Sequence, residues 1–385
     1  MKIALITFSR AKNYGGILQA YALNKYLSML GHDVYFIDYI MERSNIYNPD
    51  TFVEKATSHS KVWGSNRCTR FIWKLLYFKS IKEDYLKFSA FIEKECKFTE
   101  RYFSNEDLIK NPPQADLFMV GSDQVWNSDY APGKQLELPF YLPFTTGNKI
   151  SYASSFGNAS IPENQKDEVK ALLKSFDALS VREETGKQIL EELGLKASVV
   201  LDPTLLFDGK FWSEKCTIQS PGCPYILLYQ VKFDTDVYKV AKEFSEKLGY
   251  RLIILSMNRA DKKKYGQSVV MTPSVEEWIS YIKNAKLVYT DSFHATVFSM
   301  LFHTSFVVNS ASRKNMSSRI SNLLQMADLA DQEMIDFNVE DGFQKATQAI
   351  HWDKVDSKIQ ESRAFSQEWL IKSIADLTRQ ETQDA

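Results

Sequence analysis

Histidine is scarce in this chain, five among 385 residues, so chemistry that needs proton exchange near neutral pH has few imidazoles to draw on. Cysteine is scarcer still: Cys68, Cys96, Cys216 and Cys223 are scattered and form no C-x-x-C pair. That spacing argues for neither a zinc site nor a disulfide framework, so no metal is expected and a reducing cytoplasm is the simplest compartment. Charge of one sign is lacking too. The 47 basic and 48 acidic residues nearly cancel, which removes the electrostatic case for a nucleic-acid partner.

Long apolar runs are absent. Nothing approaches the roughly 18 consecutive apolar residues of a membrane span, and the opening MKIALITFSR turns polar too soon to read as a signal peptide. The expected location is cytoplasmic, with peripheral contact at the inner face of a membrane left open by RFIWKLLYFKSIKEDYLKF (Arg70 to Phe88). This stretch is aromatic, basic and patterned as an amphipathic helix. A core-facing helix with a solvated basic side is the commoner use of such a pattern. No internal repeat or low-complexity segment is visible.

What is present is ordinary for a globular protein, with 44% hydrophobic and 25% charged residues. The length exceeds one core and fits two domains. Short apolar runs alternate with helical periodicities, the pattern of parallel sheets with crossover helices. Lys2 to Phe8 predicts a strand, Gly16 to Leu30 a helix stopped by Gly31, and Asp33 to Tyr39 the next strand. Further strands are predicted over Ala115 to Asp123, Asn148 to Gly157 and Ala197 to Phe207. Asp177 to Gly194 predicts a strand that runs straight into a helix.

Phe211 to Pro224 is turn-rich and predicts the connection to a second series with strands over Tyr225 to Val231, Arg251 to Met257, Lys286 to Asp291 and Ser305 to Asn309. The fold class is therefore α/β, with two Rossmann-like domains facing across a cleft and mainly parallel sheets. The expected bounds are 1–210 and 211–350, followed by a helix in 351–385 that packs back across both. The first domain is the expected acceptor side and the second the donor side.

In open α/β sheets, ligands bind at the carboxyl ends of strands, and several polar residues fall there. Asn13, Tyr14 and Gly15 precede the first helix, where backbone amides attract anions; Asn13 reads equally as a turn or N-cap residue. In GSDQVWN, Asp123 and Trp126 suit a sugar, the ring covering C–H faces and the carboxylate accepting hydroxyls; a capping Asp and a core Trp would read the same. Ser155 ends the strand SYASSFG. Arg182 follows an apolar strand, where its planar fork could clamp a carboxylate or phosphate; pairing with Glu183, Glu184 or a neighbouring helix is the alternative. The D-x-D pair Asp234 and Asp236 precedes a helix and reads as an N-cap rather than a metal site.

In LVYTDSFHATVFSMLFHTSF, His294 follows strand-end polar residues and opens a helix, so it is expected at the cleft mouth as an acid or base. His303, at the other end of that helix, reads as a core or capping histidine. Downstream, Arg313, Lys314 and Arg319 could hold a phosphate near His294 or simply form a solvated basic loop.

Taken together, NYGGILQAYAL, GSDQVWN, SYASSFG, SVREE, LDPTLL, TDSFHATVFSMLF and SSRISNLL resemble, in order, the polysaccharide pyruvyl transferase family. The resemblance implies a GT-B-like fold and transfer of the enolpyruvyl group of phosphoenolpyruvate onto two hydroxyls of one sugar as a cyclic ketal. It implies His294 as general acid/base and Arg182 as ligand of the donor's carboxylate or phosphate. The family often has arginine two residues before the histidine; here Ser292 stands there, and Arg313 or Arg319 would substitute in donor binding. Asn13, Tyr14, Gly15, Asp123, Trp126 and Ser155 are the expected acceptor residues.

The partners so implied are phosphoenolpyruvate as co-substrate and a sugar, galactose at the level of the family, or a lipid-linked oligosaccharide acceptor in surface-polysaccharide assembly. No cofactor is implied. Two other readings of the same architecture stand beside this one: a glycosyltransferase using a nucleotide sugar, and a non-catalytic sugar- or anion-binding protein, which the absent arginine at Ser292 would suit.

Overall fold

The structure, a computed structural model, describes residues 1–58, 60–218, 222–231, 234–311 and 318–383. The chain divides into two compact units, Met1–Pro203 with Leu370–Ala385, and Thr204–Trp369.

The first unit is built on five parallel strands, β1 (Lys2–Ile6), β2 (Asp33–Tyr39), β3 (Lys97–Tyr102), β4 (Leu117–Val120) and β5 (Asn148–Ser151), in the order β3-β2-β1-β4-β5. A short parallel pair, β6 (Ser180–Val181) with β7 (Ser198–Val199), adjoins the β5 end through bridges at Ile150 and Ser154. Strands β1 and β4 are buried nearly throughout, as expected when helices cover both faces of a parallel sheet. That is why they read as continuous apolar runs. Strand β3 (KFTERY) has no such signature because it is an edge, where charged residues are tolerated and useful. Helix Tyr14–Met29 starts at the N-cap Asn13 and is followed by Gly31 at φ 88°, a left-handed conformation that glycine adopts without penalty.

The second unit repeats the plan with six parallel strands in the order β10-β9-β8-β11-β12-β13. Their ranges are β8 (Tyr225–Tyr229), β9 (Arg251–Ser256), β10 (Val269–Met271), β11 (Leu287–Thr290), β12 (Phe306–Asn309) and β13 (Glu333–Met334). Its sheet-face core gathers Ile226, Leu228, Phe244, Ile254, Tyr289 and Met334. The stretch expected to be pure connection starts inside this unit. Trp212 lies in the helix Gly209–Ser213, is fully buried edge-on to Phe298, and donates its indole N–H to the Thr204 carbonyl at 3.0 Å. Turn residues around it hid one core-filling side chain. The last helix, Trp352–Gln383, contains the division between the units at Trp369 and Leu370.

Both sheets reverse their strand order once, between β1 and β4 and between β8 and β11. Those reversals open the crevices in which open α/β sheets hold ligands. Among the described residues no helix is long and apolar enough to cross a membrane.

Candidate functional site

In the second unit, the polar segment Thr290-Asp291-Ser292 lies at the carboxyl end of β11, beside the strand-order reversal. Each residue has a structural task. Thr290 donates its hydroxyl to the Tyr229 carbonyl at 2.6 Å and accepts the Ser292 N–H at 3.0 Å. Asp291, buried, accepts the Val231 N–H at 2.6 Å. These bonds tie the end of β11 to the end of β8. Ser292 is the N-cap of helix Phe293–Leu301, its Oγ accepting the Ala295 N–H at 3.3 Å. Replacing Ser292 by alanine should therefore cost about 1 kcal/mol of stability by loss of the cap, read as a lowered urea midpoint.

His294 occupies the first turn of that helix, 8% exposed, with its ring edge-on to Phe293 at 5.1 Å. The helix N-terminus there carries the positive end of the backbone dipole, which favours a bound anion. Arg319 lies in helix Ser318–Met326 and is buried; Arg313 and Lys314 lie outside the described residues. His303 sits at the opposite end of the His294 helix, stacked on Trp352 at 5.1 Å and bonded to Asp356 at 2.9 Å. A cavity of about 280 Å³ opens at the ends of β8 and β9, lined by Gln230, Ser256, Asn258, Asp261 and the stacked pair Tyr238 and Tyr265. His294 does not line it. The Asp234 carboxylate accepts the Asp236 N–H at 2.8 Å as the N-cap of helix Thr235–Leu248.

In the first unit, the carboxyl ends of β4, β5 and β6 converge on Arg182. Its side chain is 2% exposed and faces Asp202 at 2.9 Å, Asp123 at 3.4 Å and Glu183 at 3.7 Å. Burial alone would weaken its hold on the proton, but the combined field of Asp123, Asp202 and Glu183 outweighs it and raises the Arg182 pKa above its ordinary value. Ser122 donates to Asp202 at 3.1 Å, and Ser155 donates to Glu183 while accepting the Gly157 N–H at 3.0 Å. Three carboxylates thus surround one guanidinium, and Asp123, with its side chain 12% exposed, is the most accessible of them.

Asp123 is held at φ 78°, a left-handed backbone that costs a non-glycine residue energy and concentrates at functional sites. Gly121 is required just before it, because a Cβ there would lie 2.9 Å from the Thr7 Cβ.

The remaining expected acceptor residues are placed differently from one another. Asn13 is exposed and caps its helix, accepting the Gly16 N–H at 3.1 Å. Tyr14 is buried against Phe88 at 4.7 Å, Gly15 is buried in the helix, and Ser155 is fully buried. Trp126 does not offer a ring to a sugar: it is 2% exposed, packs on Phe156 at 5.1 Å and donates its indole N–H to the Phe140 carbonyl. The fork of Arg182, expected to grip the donor directly, instead faces carboxylates of its own unit. Asp202, its partner at 2.9 Å, was not among the expected site residues, since Asp-Pro is a turn signal wherever it falls.

Two parallel α/β sheets, each with a polar cluster at the carboxyl ends of its strands, define a GT-B-like protein. The chain matches the polysaccharide pyruvyl transferase family over residues 13–310 and belongs to that family. Solved structures of similar fold include UDP-N-acetylglucosamine 2-epimerase from Rickettsia bellii, at TM-score 0.54 and 11% identity over 98% of this chain and 96% of that one. MnaA of S. aureus with UDP has TM-score 0.54 and 11% identity, over 98% and 97% of the two chains. The Neisseria meningitidis UDP-GlcNAc 2-epimerase bound to UDP-GlcNAc has 0.52 and 10%, over 98% and 100%. At these identities the likeness concerns the fold. No curated protein matches the chain.

Proposed function

We propose that this protein transfers the enolpyruvyl group of phosphoenolpyruvate onto two hydroxyls of a sugar residue, forming a cyclic pyruvate ketal during surface-polysaccharide assembly. What supports the reading is His294, the histidine that the motif resemblance singles out, in the first turn of a helix at the strand-order reversal, within the span matched by the family.

In the proposed reaction, His294 protonates the methylene carbon of phosphoenolpyruvate, leaving the adjacent carbon electrophilic. One sugar hydroxyl adds to that carbon and gives up its proton, for which the neutral imidazole is the acceptor. Phosphate then leaves with the C–O bond electrons, and the second hydroxyl adds to close the ring, its proton passing to the departing phosphate. The balance is one ketal formed and one inorganic phosphate released. The positive helix end favours the donor's anionic groups. Arg319, and Arg313 beyond the described residues, are the proposed cations of the donor site. Asp123 is the proposed acceptor carboxylate, with Arg182, Glu183 and Ser155 as its positioning residues. Asn13, exposed at the N-cap of the first helix, is proposed as a further acceptor residue.

A sugar or lipid-linked oligosaccharide, galactose being the first to test, is the proposed acceptor, and no step calls for a cofactor. The test is incubation with phosphoenolpyruvate and a panel of glycans, followed by phosphate assay and mass spectrometry. Phosphate release matched by a ketal-sized gain supports the proposal. A hexose-sized gain from a nucleotide sugar would assign glycosyl transfer instead. Phosphoenolpyruvate binding without phosphate release on any acceptor would assign a binding role.

A further inference from the structure

A helical arm in the first unit wears its amphipathicity inside out. The segment comprises helix Arg67–Trp73, a π-helical turn Lys74–Phe78 and helix Lys79–Glu93. Its later half behaves as a core helix, with Phe88, Phe91 and Ile92 buried. Its earlier half does the reverse. Phe71, Ile72, Leu75 and Leu76 are 60%, 48%, 68% and 60% exposed, and their spacing puts them on one side of a helix. Two cations instead take the inner side, Arg70 bonding Glu54 at 2.9 Å and Lys74 bonding Asp50 at 2.7 Å on helix Pro49–Thr57. Val62, 65% exposed, precedes the arm.

Four large apolar side chains left in water on consecutive turns cost solvation energy unless something covers them. Charge around the stripe indicates the cover. From residue 61 to 82 the chain has no Asp or Glu, while Lys61, Arg67 and Lys79 are exposed there. In a protein of net charge −1, this is a local positive field. Trp63 and Trp73, neither buried nor fully exposed, flank the stripe, a position that suits indole at a membrane–water boundary. A second copy is the poorer occupant, because a two-fold interface would set these cations against each other.

We propose that the arm Arg67–Phe78 docks the protein on an anionic bilayer, with Phe71, Ile72, Leu75 and Leu76 entering the acyl boundary and the exposed Lys61, Arg67 and Lys79 meeting lipid phosphates. The proposal is independent of the transfer chemistry, since lipid binding is read without turnover.

The test is flotation of the 385-residue protein with vesicles of phosphatidylglycerol and phosphatidylcholine, against vesicles of phosphatidylcholine alone. Co-flotation with the anionic vesicles, weakened by salt, is expected. L75S/L76S should reduce partitioning by about tenfold or more and Lys79→Ala by about fivefold. Unfolding curves of both variants should match the parent, because the altered side chains are exposed. Absence of flotation on anionic vesicles, or equal flotation of L75S/L76S, overturns the proposal. So does a parent dimer that L75S/L76S converts to monomer without any vesicle binding, which assigns the stripe to a second copy.

Discussion

Replacing His294 by alanine is expected to slow phosphate release from phosphoenolpyruvate by about 10²- to 10⁴-fold at saturating substrates, or about 3 to 5.5 kcal/mol of barrier. The expectation follows from the role of a single proton donor. In the proposed reaction carbon protonation precedes every later bond change, and His303, the other imidazole of this segment, is engaged with Trp352 and Asp356 at the far end of the helix. The loss should fall on kcat more than on KM, because the missing interaction is made with the transition state. His294→Gln keeps most of the volume beside Phe293 and should be equally slow while remaining folded. Full activity in either variant would remove His294 from the mechanism.

Replacing Arg182 by methionine is expected to destabilise the first unit by about 3–5 kcal/mol, the usual consequence of removing one partner from a buried ionic cluster. Asp123, Glu183 and Asp202 would then face one another without their counter-charge. Urea denaturation at several pH values reads this directly. Carboxyls deprived of that cation should hold protons more tightly folded than unfolded. Stability from this source is present at low pH and lost as pH rises through the raised folded value. The deficit relative to the parent should therefore be largest near neutrality and shrink in acid. Arg182→Lys keeps one charge but not the fork and should fall between. If Arg182→Lys is as stable as the parent yet loses affinity for phosphoenolpyruvate, the arginine is a donor ligand and not a positioning residue.

Many of the strands were readable from the chain because buried parallel strands need little but apolar side chains, as in LVYT and YILLY. Where strands lie at an edge, as KFTERY does, that requirement lapses and the signal with it. The candidate site was readable at a coarser grain. Strand ends pointed to Asp123, Ser155, Arg182 and His294, yet one spelling serves several environments. GSDQVW fits a sugar platform or a core tryptophan equally, and only the Phe140 carbonyl and the Phe156 ring decide for the core.

The chain by itself determined its class: two parallel α/β units whose apolar periodicity and family motifs permit little else. Tertiary structure alone decided which charges Arg182 meets, which face of the Arg67–Phe78 arm looks outward, and that Trp212 fills a core. The physical reason is range. Periodicity and capping act between neighbours a few residues apart, whereas Arg182 meets Asp123 across 59 residues and Asp202 across 20, partners that only the packed sheet brings within bonding distance.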